Sequence, residues 1–110
     1  MFEKNLKIAY LLDFYGDVLT ERKKEVLDMY YNEDLSLAEI AEQIGISRQG
    51  VRDLIKKAED EILFLEEKLS LAQKMHAIKH HADNMANIAQ NTEIPEALKT
   101  EIEEISKIIK

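Results

Sequence analysis

The sequence predicts an all-α fold: a helical bundle that contains a helix-turn-helix and continues into a long helix and C-terminal helices. Three observations carry this. Apolar residues recur at helical spacing from Leu6 to Ile109. Three Gly and one Pro in 110 residues leave almost no turn chemistry for strands. Hydroxyl side chains (Thr20, Ser36, Ser47, Thr92) stand where successive amphipathic stretches begin, the place from which they cap helices.

Each element has its own signals. Leu6, Ala9, Tyr10, Leu12 and Phe14 make a first stretch, with Gly16 as its expected stop. Thr20 opens a second helix, Glu21 complements its dipole, and Val26, Leu27, Tyr30 and Tyr31 form its buried stripe. Ser36 and Glu39 make a capping box for a short third helix that buries Leu37, Ile40, Ala41 and Ile44 and ends at Gly45. Ser47 caps a fourth helix whose apolar series is Val51, Leu54, Ile55, Ala58, Ile62, Leu65, Leu69 and Ala72. From Ile55 the steps alternate three and four, so this helix is expected to run ~24 residues or more, well past the mean length. Met75, Ile78, Ala82, Met85 and Ala89 resume the spacing after a break in phase, where a bend is expected. Thr92 is the expected cap of a last helix with Pro95 in its first turn and Leu98, Ile102, Ile105 and Ile109 on its apolar face. The chain therefore reads as a helix-turn-helix domain over residues 1–70 and a C-terminal helical extension over 71–110.

Composition narrows the function. With 45% hydrophobic and 34% charged residues the chain can pack a core, which argues against global disorder. Having no Cys, it cannot form disulfides, a thiolate nucleophile or Cys-ligated zinc. No apolar run approaches the ~20 residues of a bilayer span and no secretory h-region follows the N-terminus, so a cytoplasmic protein without a membrane partner is expected. The formal charge of −7 opposes a role in neutralising phosphates. That charge is uneven, however: net −2 over residues 1–58 and −5 over 59–110. Any nucleic-acid contact should come from the first part.

Leu37 to Ala58 is the informative segment. A capped helix, a Gly turn and a second capped helix form the helix-turn-helix layout. Ala41 allows the helices to approach, Gly45 supplies positive φ, Ile46 is expected to plug the gap between them, and Val51 packs the second helix onto the first. On a helical wheel Val51, Leu54, Ile55 and Ala58 share one arc, while Gln49, Arg52, Asp53, Lys56 and Lys57 face away from it. Gln49, Arg52 and Asp53 are the candidates for base edges; Arg48, Lys56 and Lys57 suit phosphates, as do Arg22, Lys23 and Lys24 at the head of the second helix. Glu39, Glu42 and Asp53 bring negative charge to the same region, and the bland alternative is an ordinary solvated face.

These residues carry a family resemblance. The run LTERKKEVLDMYYNEDLSLAEIAEQIGISRQGVRDLIKKA resembles the fourth region of bacterial sigma factors, which reads an upstream promoter element. Leu19-Thr20-Glu21-Arg22, Leu37-x-x-Ile40-Ala41, Gly45-x-Ser47-Arg48 and Val51-Arg52 fit its pattern, and the resemblance implies a sigma-region-four-like motif of the winged-helix-type class. The stretch LDFYGDVLTERKKEVLDMYYNEDLSLAEIAE is closer still to the YlxM-type family of small bacterial proteins. That resemblance implies a helix-turn-helix protein encoded beside the genes of the signal recognition particle, with components of that particle as partners. The matches cover roughly residues 6–70. These residues hold no second DNA-binding region and no promoter-melting segment, so a complete sigma factor is not expected. Gly50 also departs from the sigma pattern: in the first turn of the reading helix it costs ~1 kcal/mol and removes a contact, yet lets a partner backbone come close.

Other chemistry is sparse. His76 and His80 sit one turn apart, with His81 and Asp83 nearby, but no following Glu or distant third ligand completes a zinc site, so no metal and no cofactor is expected. No nucleophile–base arrangement or phosphate-cradling Gly loop stands out, and the protein reads as non-enzymatic. Two functions follow: a duplex-DNA-binding regulator, or a protein- or RNA-binding accessory of the signal recognition particle. The long seam, including Ile62, Leu65 and Leu69, needs a cover. The last helix folding back or a second subunit would serve, and a homodimer through the second half of the chain is expected.

Overall fold

The computed structural model describes residues 4–109 and is all-helical there. Six α-helices follow one another: α1 (Leu6–Tyr15), α2 (Glu21–Tyr31), α3 (Leu37–Ile44), α4 (Arg48–Leu69), α5 (Leu71–Asn91) and α6 (Glu96–Ile108), with a short 3-10 turn over Gly16–Val18. No strand occurs among the described residues, and none of their helices is long and apolar enough to cross a membrane. The chain divides into two compact units, residues 1–70 and 71–110.

In the first unit α4 is the central strut, with α1, α2 and α3 packed on it. The face it offers them is Val51, Ile55, Ala58 and Ile62, all fully buried. Ile40 of α3 and Val26 and Leu27 of α2 close over it, also without solvent exposure. The contribution of α1 differs from the expected stripe. Ile8, Leu11, Leu12 and Tyr15 point inward, whereas Leu6 is 82% exposed and Tyr10 is largely outside. Positions 8, 11, 12 and 15 are the i, i+3, i+4, i+7 set that one helix face can present together. Gly16 does not stop α1 by a left-handed turn; its φ of −53° carries the chain into the 3-10 turn.

The caps of α2, α3 and α4 follow local sequence. Thr20 Oγ1 accepts the Lys23 N–H and Ser47 Oγ accepts that of Gly50. At Ser36 both halves of the capping box form: its hydroxyl accepts the Glu39 N–H at 3.1 Å, and the Glu39 carboxylate accepts the Ser36 N–H at 3.0 Å. That backbone donor, helped by the hydroxyl, holds the Glu39 carboxyl below the usual carboxylate range. A carboxylate with a lowered folded pKa stabilises the fold above its unfolded pKa, and this is lost as pH falls through the folded value. Ser36→Ala should lower stability by about 0.5–2 kcal/mol in urea melts at neutral pH. Part of the deficit should go on acidification, because the hydroxyl also favours the ionised Glu39 carboxyl, whereas the backbone N–H of residue 36 is kept by alanine. An unchanged melt at neutral pH would contradict the cap.

Two helix ends differ from expectation. α4 stops at Leu69 after 22 residues, short of Ala72, and Ser70 adopts left-handed geometry at φ +50° before α5 begins. Beyond Ile62 no α4 residue is fully buried, and a seam repeating every 3.5 residues drifts ~20° per heptad on a straight helix. α6 begins after Pro95, so Thr92 does not cap it. A proline disfavours helical geometry at the residue before it, here Ile94, and pushes the start downstream. In the second unit α5 and α6 form a hairpin through the four-residue connection 92–95.

Candidate nucleic-acid interface

The motif comprises α3, the Gly45 turn and the first half of α4. Gly45 has φ +76°, and its N–H and that of Ile46 both bond the Ala41 carbonyl, at 2.9 and 3.2 Å. A side chain there would meet no neighbour within 4 Å, so the need for glycine is conformational. Ile46 is 39% exposed and lies over Gly50. A Cβ at Gly50 would stand 3.4 Å from Ile46 Cδ1 and 3.1 Å from the capping Ser47 Oγ. Glycine at this position thus keeps the cap and the turn close-packed inside the chain.

With Val51, Ile55 and Ala58 buried, rotation of α4 puts Arg48, Gln49, Arg52, Asp53, Lys56 and Lys57 in solvent. They span about 14 Å of helix axis, a length that a major groove can take. Gln49 Nε2 donates to Asp53 Oδ1 at 2.9 Å, and Lys56 Nζ pairs with Asp60 at 3.3 Å. Exposed i,i+4 ion pairs are worth about 0.3–0.5 kcal/mol, so a phosphate can displace the Lys56 partner at little cost.

The second basic cluster lies elsewhere. Lys23 reaches Glu61 on α4 at 3.4 Å, and Glu61 is about 20 Å along the helix from Arg48. Lys24 is paired with Asp17; that hydrogen bond and charge raise the lysine pKa and lower the aspartate's. Arg22 is exposed. Of the helix seam, Ile62 is fully buried, Leu65 half-buried and Leu69 51% exposed. The three histidines are exposed, and no three His, Asp or Glu residues converge on a metal position among the described residues.

Sequence reasoning missed what the carboxylates on the second half of α4 do. The hydroxyl of buried Tyr15 donates to Glu66, and that of Tyr31 donates to Glu59. Tyr31 also accepts the Asn5 N–H at 3.2 Å. Burial raises the Glu59 carboxyl above its ordinary range, and the Tyr31 bond offsets part of that. Burial and the same bond push the Tyr31 phenol up. With Lys23–Glu61, these contacts clamp α1 and α2 onto α4. Three of the acidic residues behind the net charge are therefore fold contacts, set away from the exposed face of the motif. The signal was present: a tyrosine at a core-facing position needs a partner for its hydroxyl, and carboxylates flank the buried α4 stripe.

Comparison with known proteins agrees with this architecture. The family model described as "Putative helix-turn-helix protein, YlxM / p13 like" matches residues 2–107. A UPF0122 protein of Clostridium kluyveri is 39% identical over 107 residues, covering 91% of this chain and 96% of its own. One from Thermoanaerobacter sp. strain X514 is 43% identical over 108 residues, covering 94% and 92%. The UPF0122 protein of Caldanaerobacter subterraneus reaches 52% identity over 69 residues, covering 63% and 59%. The family is described by its motif and by no catalytic activity. With a match over nearly its whole length and relatives of comparable span, the chain belongs to the UPF0122 family of YlxM/p13-like helix-turn-helix proteins.

Proposed function

We propose that the protein binds duplex DNA and regulates transcription through the first half of α4. The observation that carries this is the exposed row Arg48, Gln49, Arg52, Asp53, Lys56 and Lys57 on the second helix of the motif. In this reading Gln49, Arg52 and Asp53 meet base edges, with Gln49 exchanging Asp53 for a base. Arg48, Lys56 and Lys57 hold phosphates and fix the register. Arg22, Lys23 and Lys24 become an outlying backbone contact, for which Lys23 and Lys24 must exchange Glu61 and Asp17 for phosphate.

A salt titration of binding to duplex pools by fluorescence anisotropy tests it. Arg52→Ala should cost about 1–3 kcal/mol on a selected site and relax the preference there. Lys57→Ala should weaken all duplexes alike and reduce the salt slope by about one. Absence of binding to any duplex at low salt would overturn the reading. A second reading is a protein- or RNA-binding accessory of the signal recognition particle, and the net charge of −7 supports its protein-binding form. Co-purification with that particle's GTPase or RNA, without DNA binding, would select it.

A further inference from the structure

Gln49 and Asp53 stand one turn apart on α4, on the side opposite its buried residues. With Val51, Ile55 and Ala58 inside, 100° per residue places Gln49, Asp53, Lys56 and Asp60 within about 60° of one another on the outermost stripe. Two donors on this stripe are each held by a carboxylate four residues further on. Gln49 Nε2 donates to Asp53 Oδ1 at 2.9 Å, and Lys56 Nζ to Asp60 Oδ1 at 3.3 Å. Arg52 lies to one side of Asp53 and Lys57 to the other, all three exposed. A carboxylate in the middle of a face offered to DNA works against affinity, because every phosphate repels it. Its bond to Gln49 gives it a task there.

We infer that Asp53 is a positioning residue for Gln49, and that the pair selects adenine in the major groove. This rests on α4 being the helix that reads DNA. A carboxylate only accepts hydrogen bonds, so Asp53 turns the nitrogen of the Gln49 amide toward itself and the oxygen away. The bond takes one of the two amide hydrogens. One N–H and the carbonyl Oε1 remain, a donor and an acceptor. Adenine presents their complement, the N7 acceptor and the N6–H donor, whereas guanine presents two acceptors, N7 and O6. A glutamine without such a partner can turn either way and offer both hydrogens, so it discriminates less. Gln49 can thus take adenine while keeping Asp53. Exchanging Asp53 for the base would leave a carboxylate in the groove without its donor, the costlier arrangement. With the bond kept, Asp53 acts on the base through Gln49.

Selection of duplexes from a random pool by the full chain, with sequencing of the bound fraction, tests this. The base pair read by Gln49 is the one whose preference Gln49→Ala removes. There the parent should favour adenine over guanine on the order of 5- to 150-fold. Asp53→Ala should flatten the preference at that same base pair, and adding it to Gln49→Ala should change nothing further there. Asp53→Asn keeps an acceptor for the amide and drops the charge, so it should retain the preference while binding all duplexes more tightly. Both side chains are exposed, so circular dichroism should show every variant as helical as the parent. Undiminished adenine preference in Asp53→Ala overturns the inference. A change at a different base pair does so too, since Asp53 would then touch a base itself. Loss of the preference in Asp53→Asn is equally fatal. A parent that binds no duplex removes the DNA reading of α4 and this inference with it, whereas the other adverse results leave that reading standing.

Discussion

Val51→Asp and Ile40→Asp are each expected to unfold residues 1–70. Both side chains are fully buried, on the two helices α3 and α4 that pack together. An unpaired buried charge costs several kcal/mol, and the lost apolar burial adds to it. Small domains hold only about 5–15 kcal/mol of net stability, so either change can exhaust it. Loss of the helical signal and of a cooperative melt at neutral pH is the expected readout. Partial recovery at acid pH should follow, since protonation removes the charge. Ile40→Val provides the scale: removing one methylene from the same place should cost about 0.5–1.5 kcal/mol. If Ile40→Asp cost no more than Ile40→Val, the packing of α3 and α4 described above would be wrong.

Tyr15→Ala should be the next most damaging change, at about 3–5 kcal/mol in denaturant melts. Tyr15 is the largest fully buried side chain, and its ring fills the space between α1 and α4. Its hydroxyl also donates to Glu66, 51 positions further along the chain. Tyr15→Phe separates the two contributions: it keeps the ring, removes the donor to a charged acceptor, and should cost about 1.5–3 kcal/mol. Equal losses for Phe and Ala would mean that the hydroxyl dominates. No loss for Phe would mean that the Glu66 contact contributes nothing.

These two positions also show what was legible in the sequence. Val51 and Ile40 could be placed in the core because each lies three or four residues from other apolar residues on its own helix, a relation set by helix geometry alone. The caps at Thr20, Ser36 and Ser47 and the left-handed turn at Gly45 were readable for the same reason. Each is completed by atoms no more than four residues away. The outward face of the motif followed as well, since fixing Val51, Ile55 and Ala58 inside leaves Gln49, Arg52, Lys56 and Lys57 outside.

Tertiary packing decided the rest. In α1 several apolar residues compete for the interior, and α4 takes Ile8, Leu11 and Tyr15 while leaving Leu6 in water. Lys23 and Lys24 look like Arg22 in sequence, yet Glu61 and Asp17 engage them in the fold. The partners of Tyr15 and Tyr31 lie 51 and 28 residues away, beyond any local pattern. Helix periodicity and capping are short-range, so the residues that make them carry the information. Which carboxylate meets which tyrosine or lysine depends on the angle and register at which whole helices cross, and those are set only when the core packs.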